Sequence, residues 1–217
     1  MRNTILYLCQ DAGAGGREAL FSRLLALYIR AEGEDAPAAL AGAPLLKEEG
    51  GKPYFPEEAQ TGLSISHSDG AYAVLFSPGA VGVDIQDKSD PLKTEENVLR
   101  IANRVFHPTD CLWLREGDVR TRFFLLWTAY EAAAKYTGKG IFAEEKPIVR
   151  PAREEFLPIL YLGEEGMPIS LERHCCTWMR DGLSFTTIWP QENFVCTCVT
   201  DVPLDAVVLS GPLGNRK

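Results

Sequence analysis

Hydrophobic and polar residues alternate in several short stretches of the chain, whereas in others the hydrophobic residues recur every three or four positions. Alternation is typical of strands with one buried face. It predicts strands at residues 5–9, 45–47, 63–66, 71–76, 81–86, 171–178, 183–189 and 194–200. Recurrence every three or four positions is typical of amphipathic helices. It predicts helices at residues 17–32, 94–105 and 118–137.

Strands and helices occur together along the whole chain, which predicts an α+β fold. A Ser-Pro-Gly sequence at residues 77–79 interrupts the pattern and is the predicted boundary between two parts. The N-terminal half, residues 1–79, and the C-terminal half, residues 80–217, each combine strands with a long helix. We therefore predict two similar halves, each with a small, mostly antiparallel sheet and a packed long helix.

Composition excludes some classes of function. The chain has 217 residues, of which 46% are hydrophobic and 24% charged, enough for one large domain or two small ones. A formal net charge of −8 argues against nucleic acid as the main partner. No apolar run reaches the roughly 18 residues of a membrane span. The first ten residues are predicted to be a strand rather than a signal peptide, because Asp11 ends their apolar run.

The six cysteines indicate the compartment. None forms a Cys-x-x-Cys pair, and Cys196 and Cys198, which share one face of a predicted strand, have no obvious metal-ligand partners. Free buried thiols in a reducing cytoplasm are the favoured interpretation, and a zinc site is the alternative.

Three charged residues form the main candidate site. Asp84 lies near the end of an apolar strand, and Glu131 and Lys135 lie four residues apart on one face of the longest predicted helix. A surface ion pair is the simplest interpretation of Glu131 and Lys135. However, apolar and aromatic residues cover much of this helix, and a buried carboxylate needs a partner. Two facing carboxylates can hold a divalent cation, and a lysine one turn further can bind the phosphate that the cation bridges.

Ser66 and His67 lie where a predicted strand enters an Asp-Gly turn. A serine beside a histidine also occurs in nucleophilic catalysis, but no acid stands at a matching spacing. A hydrogen bond from the histidine to a phosphate is at least as consistent with the pair. Lys52 is presented by a Gly-Lys-Pro turn, and Arg17 lies on the first helix, where an arginine usually faces solvent.

Two stretches carry a family resemblance: Gly-Val-Asp-Ile-Gln at residues 82–86 and Trp-Thr-Ala-Tyr-Glu-Ala-Ala-Ala-Lys at residues 127–135. Together they resemble the 4′-phosphopantetheinyl transferases of the larger, surfactin-synthetase-activating type. Further pieces follow in the family's order at residues 51–53, 63–68, 104–106 and 138–141. The resemblance covers residues 17–145, and the ordered series is far more specific than any single piece.

The resemblance implies that the phosphopantetheine arm of coenzyme A is transferred to a serine of an acyl or peptidyl carrier protein. It also implies a monomer with two halves about a pseudo-twofold axis and coenzyme A in the groove between them. The implied Mg²⁺ ligands are Asp84, Glu131 and Gln86, and the implied catalytic residues are Asp84, Glu131 and Lys135. The implied contacts to coenzyme A are made by Arg17, Lys52, Ser66, His67 and Lys135.

Two positions depart from the family pattern. Gln86 stands where the family has a third acid, so that position can offer an oxygen but no charge. Tyr130 stands where the family has a lysine that is implied in deprotonating or positioning the attacking serine. A tyrosine, with a pKa near 10, is a poor base at neutral pH. Either Glu131 or a metal-bound water then takes that role, or the chain is a weakened or inactive relative that still binds coenzyme A or the carrier. An unrelated α+β domain is the third alternative.

Overall fold

The computed structural model describes residues 2–10, 16–49, 51–90, 94–142, 146–151, 160–163 and 175–210. Its four α-helices are α1 (Gly16–Glu32), α2 (Glu95–Val105), α3 (Pro108–Arg115) and α4 (Val119–Thr137). Its strands in the first part of the chain are β1 (Ile5–Gln10), β2 (Leu46–Lys47), β3 (Pro53–Tyr54), β4 (Gly62–Ser68), β5 (Ala71–Ser77) and β6 (Val81–Asp87). Those that follow α4 are β7 (Leu160–Gly163), β8 (Cys175–Arg180), β9 (Leu183–Ile188), β10 (Phe194–Thr200) and β11 (Ala206–Ser210).

The strands form two main sheets and a small hairpin. The first sheet has the order β4-β5-β1-β11-β7 and the second β6-β10-β9-β8, while β2 pairs with β3. The second sheet is antiparallel throughout, whereas β11 runs parallel to both β1 and β7 in the first. The predicted α+β class is confirmed. The two-part division and the pseudo-twofold relation stay predictions, and β7 and β11, which follow residue 80, lie in the sheet of the N-terminal strands.

Most of the predicted elements are present within one or two residues of their expected bounds. The strand predicted at residues 171–178 begins at Cys175, and residues 171–174 lie outside the described part of the chain. The sequence interpretation did not include β7, β11 or α3, and it assigned residues 51–55, which contain β3, to a turn. Helix α3 begins after His107, whose Nδ1 accepts from the backbone N–H of Thr109, and Pro108 occupies its first turn. Among the described helices, none is both long enough and apolar enough to cross a membrane.

Alternating side chains place the two sheets face to face. One face of the first sheet packs on the second through Leu6, Leu8, Leu75, Val83, Ile85 and Cys196, among others. The opposite face of the first sheet packs on α1 through Tyr7, Phe76, Leu24 and Tyr28. The other face of the second sheet packs on α2, α3 and α4 through residues such as Phe123, Phe124, Phe185 and Val199. All six cysteines are free and buried, as predicted.

Serine side chains join the edges of the two sheets. Strand β4 carries a serine at every second position, so that three hydroxyls point to the same side. Each hydroxyl accepts a hydrogen bond from a backbone N–H of β6, at a constant sequence offset: Ser64 from Val83 (3.0 Å), Ser66 from Ile85 (3.3 Å) and Ser68 from Asp87 (3.0 Å). These bonds satisfy the edge N–H groups of β6, whose other edge pairs with β10.

Helix α4 lies directly on the backbone of β6. A Cβ atom on Gly82 would lie 1.9 Å from the carbonyl oxygen of Ala132 and 2.6 Å from the backbone nitrogen of Tyr136. Buried hydroxyls also tie α4 to the second sheet, because Thr128 bonds Thr197 at 2.7 Å and Thr197 bonds Thr187 at 2.8 Å. Since Gly82 and Asp84 are two residues apart on β6, the close approach also brings Asp84 to the helix.

We predict that Gly82→Ala lowers the free energy of unfolding by about 3 kcal/mol, because the methyl group meets backbone atoms that cannot move separately from α4. Gly42→Ala is the matched control, since a Cβ atom there meets nothing within 4 Å. Urea unfolding of both variants tests this. A Gly82→Ala protein as stable as the Gly42→Ala protein would contradict the packing described here.

Candidate active site

Asp84 lies at the junction of β4, β6 and α4, with only 3% of its surface exposed. Its Oδ1 accepts from the ammonium of Lys135 at 2.7 Å and from the hydroxyl of Ser66 at 2.7 Å. Its Oδ2 accepts from the side-chain amide nitrogen of Gln86 at 3.0 Å, a bond that an ionised glutamate at that position could not donate. The buried charge therefore has one cationic and two neutral partners.

The ammonium of Lys135 is held entirely by protein oxygens. It donates to Asp84 Oδ1 at 2.7 Å, to the backbone oxygen of Val83 at 2.9 Å and to Ser66 Oγ at 3.0 Å. An ammonium has three hydrogens to donate, so these bonds use all of them. About a quarter of the Lys135 side chain stays exposed (27%).

Glu131 lies one helical turn before Lys135 and is half-buried. Burial raises the pKa of its carboxyl group, the negative charge of Asp84 raises it further, and Lys135 lowers it. Within the described part of the chain, the structure gives the Glu131 carboxylate no hydrogen-bond or ion-pair partner. The two carboxylates predicted from the sequence are therefore neighbours, but only Asp84 is neutralised by the protein.

The oxygen donors of this site fit a hard divalent cation. Mg²⁺ is commonly held by one or two carboxylates, with water and substrate phosphates completing its shell. Asp84 and Glu131 supply the carboxylates, and a cation beside them relieves the repulsion that raises the pKa of Glu131. The described ranges contain no cluster of three or more His, Cys, Asp or Glu residues suited to a metal. Such a cation therefore depends on this pair, with Gln86 as a neutral neighbour.

Ser66 is buried, and its hydroxyl is bonded to three protein groups. Its hydroxyl donates to Asp84 and accepts from the Ile85 N–H and the Lys135 ammonium. A hydroxyl has one hydrogen and two lone pairs, so its capacity is used up. The contact of Ser66 with a phosphate stays a prediction. The sequence signal for its observed role was the alternation of serines along β4, which the sequence interpretation missed.

Arg17 and His67 meet at the ring of Tyr72. Tyr72 is paired with His67 across the β4–β5 hairpin, and the two rings stack with centroids 5.9 Å apart. The guanidinium of Arg17, at the start of α1, lies 6.0 Å from the centre of the Tyr72 ring. Partial burial, Arg17 and Lys135 lower the pKa of His67, whereas Asp84 raises it. His67 is therefore mainly neutral at pH 7, and able both to donate and to accept a hydrogen bond.

A groove of about 1000 Å³ runs from this point along α1. Helix α1 forms one wall, residues 41–45 form another, and β4 and β5 form the floor. Arg17, His67 and Tyr72 line it, and most of the other lining side chains are apolar. Tyr72 was not among the predicted site residues, although its position opposite His67 follows from the Asp-Gly turn.

Lys52 lies apart from the residues that line this groove. It is half-buried between β2 and β3, and burial lowers its pKa, while the nearby Glu48 raises it. Glu48 in turn lies near Gly138, just beyond the C-terminal end of α4. A Cβ atom added to Gly138 would be 3.9 Å from the Glu48 carboxylate. A role for Lys52 in binding a nucleotide stays a prediction.

Tyr130 faces away from Asp84 and into the core. Its ring stacks on Phe106 with centroids 4.8 Å apart, and only 3% of its surface is exposed. Its hydroxyl accepts from the backbone N–H of His107 and contacts a carboxylate oxygen of Asp110 (3.1 Å) and the backbone oxygen of Pro147 (2.6 Å). Burial raises the pKa of the phenol. Tyr130 thus connects the turn between α2 and α3 with residues 146–151, a role that its motif position did not indicate.

Comparison with known proteins relates this site to one family. A sequence model described as the 4′-phosphopantetheinyl transferase superfamily matches residues 80–163, the segment that contains Asp84, Gln86, Glu131 and Lys135. Over residues 80–163 the chain is therefore similar to the 4′-phosphopantetheinyl transferase superfamily. The predicted resemblance is thereby confirmed for this segment, whereas the match does not extend to Arg17, Lys52, Ser66 or His67.

Two curated relatives agree with the match. The chain is 32% identical over 99 residues to a 4′-phosphopantetheinyl transferase of Aneurinibacillus migulanus, which covers 44% of the chain and 38% of the relative. It is 35% identical over 104 residues to a Synechocystis protein provisionally named a 4′-phosphopantetheinyl transferase, covering 44% of the chain and 40% of that protein. The alignments thus span about two fifths of each relative.

We predict that Glu131→Gln stabilises the protein at pH 8 in the absence of divalent cations, because it removes a half-buried charge without a partner. The folded-state pKa of Glu131 is raised, so the stability associated with its protonated form is present at low pH and is lost as the pH rises through that pKa. The difference between the variant and wild type should therefore grow from pH 5 to pH 8. Thermal unfolding at both pH values measures it.

Glu192→Gln, in an exposed turn, is the control and should show no such growth. Added Mg²⁺ should raise the unfolding temperature of wild type more than that of Glu131→Gln. A Glu131→Gln protein that is less stable than wild type at pH 8 would show that the carboxylate has a structural partner.

We predict that Tyr130→Phe lowers the free energy of unfolding by about 1–3 kcal/mol, because it leaves buried groups at His107 and Pro147 without their partner. Tyr136→Phe, on the same helix, is the control. The Tyr136 hydroxyl has no hydrogen-bond partner in the described ranges, so its loss should change stability by less than about 0.5 kcal/mol. Equal urea midpoints for the two variants would contradict the role assigned to Tyr130.

Proposed function

We propose that the protein transfers the 4′-phosphopantetheine arm of coenzyme A to a serine of an acyl or peptidyl carrier protein, with Mg²⁺, and releases 3′,5′-ADP. The observation that supports this most is the juxtaposition of Asp84, Glu131 and Lys135 at the contact of β6 and α4. These residues come from two separate motifs within the segment that matches the superfamily. Two carboxylates beside an ammonium provide binding groups for a cation and for the phosphates that it neutralises.

The nucleotide part of coenzyme A would bind at the Arg17–Tyr72–His67 stack. The guanidinium of Arg17 offers a planar set of donors to a phosphate, and neutral His67 offers one further N–H. A bound phosphate would raise the pKa of His67, because an adjacent negative charge favours the imidazolium. Lys52 would contact the nucleotide from the β2–β3 hairpin. An acidic protein can bind a polyanion in this way, because its basic groups converge locally.

Asp84 and Glu131 would hold Mg²⁺, with Gln86 as a neutral oxygen donor. When bound, the cation neutralises charge that develops on the oxygen between the two phosphorus atoms. Lys135 would bind a phosphate of the diphosphate from the same face of α4.

The transfer itself is an in-line displacement at phosphorus. The carrier serine Oγ forms a bond to the phosphorus of the phosphopantetheine, the bond from that phosphorus to the 3′,5′-ADP oxygen breaks, and the serine hydroxyl loses its proton. Glu131 is the carboxylate at the site to which no described protein group donates a hydrogen bond, so an oxygen of Glu131 that does not bind the cation is free to accept this proton. Tyr130 cannot do so, because its buried hydroxyl is engaged by His107, Asp110 and Pro147.

The position of Tyr130 also favours a second candidate function. If the family lysine at this position is essential to the attack, then a chain with a buried tyrosine binds coenzyme A or the carrier without rapid transfer. The same site residues would bind the cofactor in that case.

The cellular setting is proposed on simpler grounds. The six buried free thiols fit a reducing compartment, and we assign the protein to the cytoplasm. We propose that it acts as a monomer, because Arg17, His67, Asp84 and Glu131 come together within one chain. Its partners are then coenzyme A and an apo carrier protein, with neither nucleic acid nor membrane among them.

Incubation with coenzyme A, Mg²⁺ and apo acyl or peptidyl carrier proteins tests the proposal, with mass spectrometry of the carrier as the measurement. A mass gain of about 340 Da on the carrier serine is expected. Asp84→Asn and Glu131→Gln should reduce the rate by a factor of about 100 or more, because each removes a charged ligand of the catalytic cation. Glu192→Gln is the matched control and should react like wild type.

The outcomes separate the two candidate functions. No mass gain on any carrier, together with measurable coenzyme A binding, would favour the binding relative. Absence of both would overturn the proposal. Near-normal rates in Glu131→Gln would remove that residue from the cation site while leaving the transferase activity in place.

A further inference from the structure

The ammonium of Lys135 and a divalent cation require the same carboxylate. Asp84 Oδ1 already accepts two short hydrogen bonds, from Lys135 and from Ser66, both at 2.7 Å. A cation bound to Asp84 would therefore stand beside a positive charge that uses the same group. Two cations at such a distance repel each other, and the repulsion is strong at a buried carboxylate.

The other two acceptors of Lys135 belong to the joint between the sheets. Ser66 is fixed by the Ile85 N–H, and the Val83 oxygen belongs to the backbone of β6. Neither acceptor carries a charge, so Asp84 is the group that holds the ammonium at this place electrostatically. Once Asp84 is shared with a cation, that attraction is largely cancelled, and the flexible four-carbon stem of lysine can carry its ammonium towards solvent.

The charges of Asp84, Glu131 and Lys135 favour the replacement of the lysine ammonium at Asp84 by a divalent cation. Asp84, Glu131 and Lys135 carry −1, −1 and +1, a sum of −1, and a divalent cation would change this sum to +1. Before a cation binds, the net negative charge of these three residues attracts a cation. After it has bound, the net positive charge attracts an anion. Arg17 beside His67 adds positive charge on the same side.

We propose that Lys135 is an exchangeable counter-ion of Asp84. It neutralises the buried carboxylate until a divalent cation binds there, and the displaced ammonium then turns to the diphosphate. This rests on the proposed function, because the anion that receives the ammonium is the coenzyme A diphosphate. Lys135 is in this view a positioning residue for Asp84 before it becomes a phosphate ligand.

The exchange lowers the affinity of the protein for a cation in the absence of coenzyme A. Cation binding by the protein alone has to break the Asp84–Lys135 pair, so it is weaker than the two carboxylates would otherwise allow. Coenzyme A offsets this loss of cation affinity, because its diphosphate accepts a hydrogen bond from the released ammonium. Each ligand then raises the affinity for the other by the same factor.

The experiment is a calorimetric titration of Mn²⁺ into the protein without coenzyme A. Lys135→Met removes the ammonium and keeps much of the stem, and it should bind Mn²⁺ about tenfold more tightly than wild type, within the usual range of such couplings. Lys139→Met is the matched control, since Lys139 is exposed just past the end of α4, and it should bind Mn²⁺ like wild type. With saturating coenzyme A, wild type should gain more Mn²⁺ affinity than Lys135→Met does.

Thermal unfolding gives a second readout. Without Mn²⁺, Lys135→Met should unfold at a lower temperature than wild type, because Asp84 loses its cationic partner, and Mn²⁺ should stabilise the variant more than wild type. Lys135→Gln keeps a hydrogen-bond donor for Asp84 and replaces the Met variant where that variant fails to fold. It is also expected to bind Mn²⁺ more tightly than wild type.

Unchanged or weaker Mn²⁺ binding in both Lys135 variants would overturn the exchange and make Lys135 a purely structural partner of Asp84. Glu131→Gln separates this failure from a failure of the proposed function. If Glu131→Gln loses Mn²⁺ binding while the Lys135 variants show no gain, the cation site stands and the exchange falls. If no protein in the series, wild type included, binds Mn²⁺ either without or with coenzyme A, the exchange and the cation site of the proposed function both fall.

Discussion

A carboxylate buried where two sheets meet must be neutralised, and the neutralisation of Asp84 determines how the parts around it are placed. Its partners come from three elements: Ser66 from β4, Gln86 from β6 and Lys135 from α4. Loss of any one partner would leave a buried charge less compensated, which is costly in a low-dielectric interior. The first sheet, the second sheet and the long helix are therefore coupled through one side chain, and the candidate active site coincides with this coupling point.

Close packing makes this coupling possible. The short side chain of Asp84 reaches Lys135 only because Gly82 lets the backbones of β6 and α4 touch near Ala132. The alternating serines of β4 play the equivalent part on the other side, since their short hydroxyls replace a backbone ladder between β4 and β6. Gly82 and the alternating serines of β4 stand in sequence motifs that are typical of a binding site. In this fold they also have a structural role, because they bring the backbones together. The groups of the candidate site therefore also form the contact between the two sheets.

Much of this arrangement could be predicted from the sequence, and the rest could not for definite reasons. Periodicity located α1, α4 and β4 to β6, because each buries one regular face. It missed β11, although all five of its residues are buried, because a parallel strand buried on both faces shows no alternation. Motif spacing brought Asp84, Glu131 and Lys135 together correctly, but it could not show that Lys135 would bond Asp84 rather than point outward. Side-chain direction depends on tertiary contacts that spacing does not contain.

The two departures from the family pattern differ in kind once they are placed in the fold. Gln86 remains beside Asp84 and replaces a third negative charge by a hydrogen-bond donor, so it changes the electrostatics around Asp84 directly. Tyr130 lies in the core against Phe106 and Asp110, so it changes the anchoring of the α2–α3 turn instead. Of the two carboxylates in this cluster, Asp84 is paired with Lys135, whereas Glu131 has no hydrogen-bond or ion-pair partner within the described ranges. Under the proposed function, this chain would therefore rely on one carboxylate more heavily than a protein with the three-acid pattern.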